Sequence, residues 1–348
     1  MNSTSVLHSE ILAQPDVVQN LLHAESAHIA NIARAVAIRD PRYVVIAARG
    51  TSDNAARYGQ YIFGAHNRLT TALAAPSLYS RFEAAPRVDG ALVIGISQSG
   101  QSPDIVQVLA DARRQGAPTI AVTNDTQSPL ALAAEHVIAL HAGAERSVAA
   151  TKTYTAQLTA LALLSAHLAE DAGRVAALGA LPAAMRRALT SEVQAQAAAA
   201  AIHDAARCVV LGRGFHYATA FETALKIKEL TYLLAEPYST ADFAHGPIAM
   251  IEPGFPVIMI AAGPTLRPES DELRASLAAL GARVVVLGDA HNPPRAGEHY
   301  LPLPDELPEW LGPIAAILPG QLLAFHLAHA RGADPDRPRT IRKVTLTK

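Results

Sequence analysis

The feature that most constrains the fold of this chain is that it repeats itself. An apolar run at residues 43–47 leads into Arg49-Gly50-Thr51, and another at residues 208–211 leads into Gly212-Arg213-Gly214. Residues 92–96 are matched by 256–260, and residues 116–121 by 281–286. The offset stays near ~164 residues in all three pairs, which is the mark of a duplicated domain. Each run is short and β-branched, as buried strands are, and segments of helical period lie between them. Strands alternating with helices imply a parallel sheet covered on both faces. The expected architecture is therefore α/β: two tandem doubly wound parallel-sheet domains of flavodoxin-like type, related by internal duplication.

The boundaries follow. Residues 1–38 read as an N-terminal helical segment interrupted at Gln14-Pro15-Asp16, 39–175 as the first domain, 176–333 as the second and 334–348 as a tail. Within the first domain, strands are expected at 43–47, 71–77, 91–96, 118–123 and 136–140, with a helix over 55–63. Later helices are expected over 151–172, 181–206 and 217–234. A chain of 348 residues, half of them hydrophobic, can bury two such cores. A formal net charge of −2 gives no electrostatic reason to expect nucleic acid or an anionic membrane as partner. The single cysteine, Cys208, lies in an apolar strand. It reads as a core residue, excludes an intrachain disulfide and fits a reducing cytoplasm. Neither a basic-then-apolar leader nor an apolar run long enough to cross a bilayer is read, so a cytoplasmic location is expected. His and Cys are not grouped at ligand spacing, so neither metal nor cofactor is expected.

Between the strand at 91–96 and the next helix lies Ser97-Gln98-Ser99-Gly100-Gln101-Ser102-Pro103-Asp104. Ser102-Pro103-Asp104 is a helix start: an oxygen-bearing cap, proline in the first turn and an acid at the positive end of the dipole. Serine hydroxyls and backbone N–H groups converge there without a preceding carboxylate, which makes an anion site, with phosphate as its usual occupant. The stretch is neither a Walker loop nor a dinucleotide fingerprint, and hydroxyls in place of a lysine suggest a sugar phosphate. The second copy carries Ala261-Ala262-Gly263-Pro264 at the matching place, so one anion site per chain is expected.

The second copy has other chemistry. Glu222, Lys226 and Glu229 fall at i, i+4 and i+7 of a helix and form one stripe. From spacing alone this reads as a row of ion pairs on a solvated face. The stretch from Glu236 to Pro247 reads as an irregular polar connection carrying His245 before a Gly-Pro turn. A carboxylate and an imidazole near a sugar phosphate are what an aldose–ketose proton shift requires. A single loop histidine is also an ordinary surface residue, and the basic tail is by composition a loose terminus.

Taken together, the stretches "SEILAQPDVV", "RGTS", "SQSGQSPD", "VTNDTQSPLA", "ERSVAATKTYTAQL", "ALKIKELTYLLAE", "FAHGP" and "PRTIRKVTLTK" resemble the SIS (sugar isomerase) family, in particular the isomerase half of glucosamine-6-phosphate synthase and the SIS-type glucosamine-6-phosphate deaminases. The resemblance implies that Ser97, Gln98, Ser99 and Ser102 hold the phosphate, helped by Thr51 and Ser52. Gly50, Val148 and Ala149 would line the sugar. Glu229 would move the C1/C2 proton, with Lys226 on the same helix face. His245 would open the ring, reaching a neighbouring subunit's site in a homodimer. Lys343, in a tail lying over the active site, would contact the anomeric end or form an imine. Two departures favour a deaminase over the synthase. No glutaminase half with a cysteine nucleophile is seen in this sequence, and Ala150 stands where the synthase has serine. The expected reaction converts glucosamine 6-phosphate and water to fructose 6-phosphate and ammonia. A fructosamine-phosphate deglycase, a galactosamine-6-phosphate deaminase and a non-catalytic sugar-phosphate sensor are the alternatives.

Overall fold

The computed structural model describes residues 5–340 and Lys343. The chain divides into two compact units. The first comprises Asp16–Glu145, Lys152–Gly179 and Arg342–Lys348; the second comprises Met1–Pro15, Arg146–Thr151 and Ala180–Ile341.

The first unit is built on β1 (Tyr43–Ala47), β2 (Thr70–Leu73), β3 (Ala91–Ile96), β4 (Thr119–Thr123) and β5 (His136–Ala139), in the order β2-β1-β3-β4-β5. The second is built on β6 (Arg207–Leu211), β7 (Leu234–Tyr238), β8 (Pro256–Ala261), β9 (Arg283–Gly288) and β10 (His299–Pro302), in the order β10-β9-β8-β6-β7. Every pairing is parallel. Read from its other edge, the second order is the first one over again, so the duplication visible in the sequence is a duplication of topology. The central strands β3 and β8 are buried along their whole length, as near-continuous apolar runs in doubly covered parallel sheets must be.

The helices of the N-terminal half are α1 (Val6–Leu12), α2 (Gln14–Ile38), α3 (Thr51–Asn67), α4 (Pro76–Ser80), α5 (Pro103–Arg114), α6 (Pro129–Ala133) and α7 (Lys152–Leu168). Those that follow are α8 (Ala172–Ala177), α9 (Leu181–Leu189), α10 (Glu192–Ile202), α11 (Tyr217–Thr231), α12 (Thr240–Ala244), α13 (Arg267–Ala279) and α14 (Gly312–Ala330). In the first unit, Val45, Ala47 and Val93 pack with Ile105, Val108 and Leu109 of α5. In the second unit, α10, α11 and α14 close one face of the sheet, with Ile227, Leu230, Leu322, Leu323 and Val210 in one core.

Several expectations are corrected. The helical segment at 1–38 divides between the units: α1 belongs to the second, where Asp336 accepts hydrogen bonds from the backbone of Val6 and Leu7, and residues from Asp16 onward belong to the first. Of the expected tail, residues 334–340 fall in the second unit and Lys343 in the first, and Arg146–Thr151 is a crossing of the chain inside what reads as the first domain. The strand expected over 71–77 stops at Leu73, because Pro76 opens α4. The helix expected over 55–63 is α3, which begins at Thr51 directly after Gly50 in the left-handed region. The polar stretch after Glu236 is not irregular. Leu234–Tyr238 pairs with β6 as the edge strand β7, a place that tolerates Pro237, and α12 follows. Finally, α14 does have the length and hydropathy to cross a membrane, but 83% of its apolar window is buried inside the protein. It is a core helix, and its Gln321 accepts a buried hydrogen bond from Gln14 at 2.6 Å.

Candidate functional site

In the first unit, two loops meet at the carboxyl ends of β1 and β3, the point where strand order reverses and where ligands bind such sheets. The loop after β1 brings Gly50, Thr51 and Ser52 to the N-terminus of α3, and the loop after β3 brings Ser97 to Ser102 to that of α5. Ser97 Oγ accepts the N–H of Gly100 at 3.1 Å and Ser99 Oγ that of Gln101 at 3.3 Å. Each hydroxyl proton is left to be donated elsewhere. Ser102 caps α5 by position, yet its side chain makes no hydrogen bond to the helix. Ser52 is buried, and its Oγ accepts from Gln157 at 3.0 Å. The buried carboxylate of Asp104 is paired with Arg49 at 2.9 Å and also accepts the N–H of Ile105. The carboxylate of Asp104 is thus neutralised, and the two loops are joined. Sequence reasoning passed over Arg49; the signal was the Arg-Gly pair common to both copies.

Lys343 also belongs to this unit. Its Nζ lies 2.6 Å from Oε2 of Glu145, a carboxylate with no exposed surface. Glu145 also accepts from the N–H and hydroxyl of Thr153, at 3.1 and 2.9 Å, in the first turn of α7. Glu145 was not singled out in the sequence, where it is one acid at the head of a motif.

In the second unit, α11 carries the charged stripe, and the structure overturns its reading as a solvated row. Glu222 is 0% and Lys226 1% exposed, whereas the side chain of Glu229 is 25% exposed. Lys226 Nζ lies 2.5 Å from Glu229 and 3.4 Å from Glu222. The ammonium is thus inserted between two carboxylates within the core, and only the last of them reaches solvent. Val148 is half-buried, and Ala149 is packed into the core, so its backbone is what remains for a ligand. His245 is placed elsewhere. It is exposed at the end of α12, in a groove with Arg213, Glu269 and Glu272, and Glu229 is not among the groove's lining residues.

The second copy's loop after β8 is closed by the chain's own acids, in keeping with one expected anion site rather than two. Gly263 donates its N–H to Asp289 at 2.6 Å, and Thr265 donates its N–H and hydroxyl to Glu309 at 2.7 and 2.6 Å. The chain's own carboxylates occupy the donors that a phosphate would need. His216 lines the same small cavity; burial lowers its pKa to about 4, against the pull of Asp289 and Glu309.

Residues 37–166 and 201–329 each match the SIS domain. The glutamine–fructose-6-phosphate aminotransferase (isomerizing) of Thermococcus kodakarensis is 33% identical over 96% of this chain, which spans only 56% of that relative's length. Among solved structures, a Silicibacter pomeroyi protein provisionally designated a phosphosugar isomerase is 36% identical, covering 96% of this chain and 100% of that one, with a TM-score of 0.85. The C-terminal domain of glucosamine-fructose-6-phosphate aminotransferase from Francisella tularensis is 25% identical, covering 97% and 99%, with a TM-score of 0.88.

Proposed function

The chain belongs to the SIS domain family, and from that premise we propose that it is an isomerase-type deaminase converting glucosamine 6-phosphate and water to fructose 6-phosphate and ammonia. The observation that carries this reading is the α11 row. A lysine in a core costs several kcal/mol in lost hydration, and neither helix nor core needs one there. Paired on both sides, Lys226 holds Glu229 in place, leaving its carboxylate the solvent-reaching end of the row. That is an arrangement for a general base.

In this reading the hydroxyls of Ser97, Ser99 and Ser102, the backbone of Gln98 and the α3 start at Thr51 and Ser52 take the phosphate. The backbone of Gly50, Val148 and Ala149 takes the sugar. His245 moves a proton from O1 to the ring oxygen as the C1–O bond opens; its exposure suits contribution to the site of a second copy in a homodimer. Glu229 removes the C2 proton while O1 of the aldehyde is protonated, and returns the proton to C1. The result is an imine at C2. Water adds to it, and ammonia leaves as the ketone forms. Lys343 serves the oxygen at the anomeric end. The thiol of Cys208 is buried in β6 with its pKa raised to about 12 by that burial, so it takes no part in this sequence of steps.

The test is ammonia release from glucosamine 6-phosphate, galactosamine 6-phosphate and a fructosamine 6-phosphate in parallel. Release from the first is expected, and Glu229→Gln should lower kcat by about 10²–10⁴-fold with sugar-phosphate binding retained. Release confined to either of the other substrates would transfer the assignment to it. Tight binding without release from any of the three would leave a sensor, and the deaminase reading would be abandoned.

A further inference from the structure

The strands of the first sheet are parallel, so their exit loops share one edge, and the loops of β3, β4 and β5 are tied together there. Asn124, directly after β4, donates its N–H to Gln98 O of the serine loop at 3.1 Å. Its side chain holds the β5 exit loop from both sides, donating to Gly143 O at 2.7 Å and accepting from Ala142 N at 3.0 Å. Two residues beyond Gly143 stands Glu145. Its carboxylate is fixed by Thr153 at the positive end of α7, a place that suits an anion without further help. A lysine from 198 residues later in the chain nevertheless reaches it. The carboxylate does not need that lysine. The lysine, with its flexible stem, needs a fixed partner to stay in one place.

Building on the deaminase reading, we propose that Glu145 is the positioning residue for Lys343. It seats the lysine at the carboxyl edge of the first sheet, in register with the serine loop through Asn124, so that the ammonium meets the carbonyl end of a sugar phosphate held by its other end. Glu145 touches no substrate in this assignment; it acts through Lys343.

The test uses the full-length protein with Glu145→Gln, Glu145→Asp, Lys343→Met and the Glu145→Gln/Lys343→Met pair. Glutamine keeps an acceptor for Thr153 and loses the charge that holds the lysine. If the assignment holds, Glu145→Gln and Lys343→Met lower kcat to a similar extent with KM within about threefold, and the pair is no worse than Lys343→Met alone, because residues acting as a unit are not additive. Aspartate restores part of the loss. Independently of turnover, acylation of Lys343 by acetic anhydride, followed by peptide mass, should rise at least about fivefold in Glu145→Gln, since the ion pair that protects the amine is gone. Unchanged labelling of Lys343 overturns the proposal. So does a double variant far below Lys343→Met, or a loss of inorganic phosphate binding in Glu145→Gln, since either makes Glu145 a structural residue. Should the wild type release ammonia from no amino-sugar phosphate, the deaminase reading falls, while the labelling still decides whether Glu145 seats the lysine.

Discussion

His216 shows how a single residue couples this fold to pH. It is buried beside Asp289 and Glu309, and its pKa is lowered from 6.5 to about 4, burial outweighing the two nearby carboxylates. Between those values the unfolded chain binds a proton that the folded chain refuses, so stability is complete above pH 6.5 and drains as the pH falls through this window. The full contribution is about 3 kcal/mol by pH 4, at roughly 1.4 kcal/mol per pKa unit. Urea midpoints at pH 7 and 4.5 should therefore separate more widely in the wild type than in His216→Gln. Equal separation would show that the imidazole is not held neutral. At the same scale, Glu222 and Lys226 could be placed on one stripe by counting residues, whereas their burial could not. A period of 3.6 says which side chains share a face but not what that face meets, and α11 is buried over most of its length, its polar side chains included.

The element proposed to hold the phosphate is the strand–loop–helix unit of β3 and α5, and its seat is α6. Gly100 has φ +63, and a Cβ there would fall 2.0 Å from Ser128 Oγ, whose own acceptor role caps α6. Gly100→Ala should displace the serine loop and weaken inorganic phosphate binding by at least about tenfold, because both the left-handed backbone and the contact oppose the methyl group. Gly64→Ala in α3, where the added carbon meets nothing within 4 Å, is the control. It should leave binding unchanged and stabilise by about 0.5–1 kcal/mol. Calorimetric titration with phosphate checks both, and retained affinity in Gly100→Ala would remove the loop from the binding assignment. The loop's chemistry was legible in the sequence, since its cap, proline and serines are contiguous. The closing of its counterpart by Asp289 and Glu309 was not: those carboxylates lie 26 and 44 residues from the groups they bind.

At the scale of the whole molecule, the proposal that His245 serves the site of a second copy in a homodimer makes a stoichiometric prediction. Glu229→Gln and His245→Asn chains should each be inactive alone. Refolded together at equal amounts, they should recover about a quarter of wild-type ammonia release, since half the dimers are hybrids with one intact site of two. Absence of recovery would place both residues in the same chain's site. Turnover by either variant alone would remove that residue from the mechanism.

Alternation of strand and helix, the duplicated topology and the serine loop were determined by the sequence alone. They rest on contiguous apolar runs and on patterns of period 3.6, and an internal repeat shows itself without any contact being known. The tertiary structure decided where the chain changes units, that Asp289 and Glu309 close the loop after β8, that the α11 charges lie in a core, and that Lys343 meets Glu145. Each depends on which distant groups the fold brings together: an ammonium and a carboxylate 198 residues apart become partners only when tertiary structure sets Lys343 against the buried Glu145.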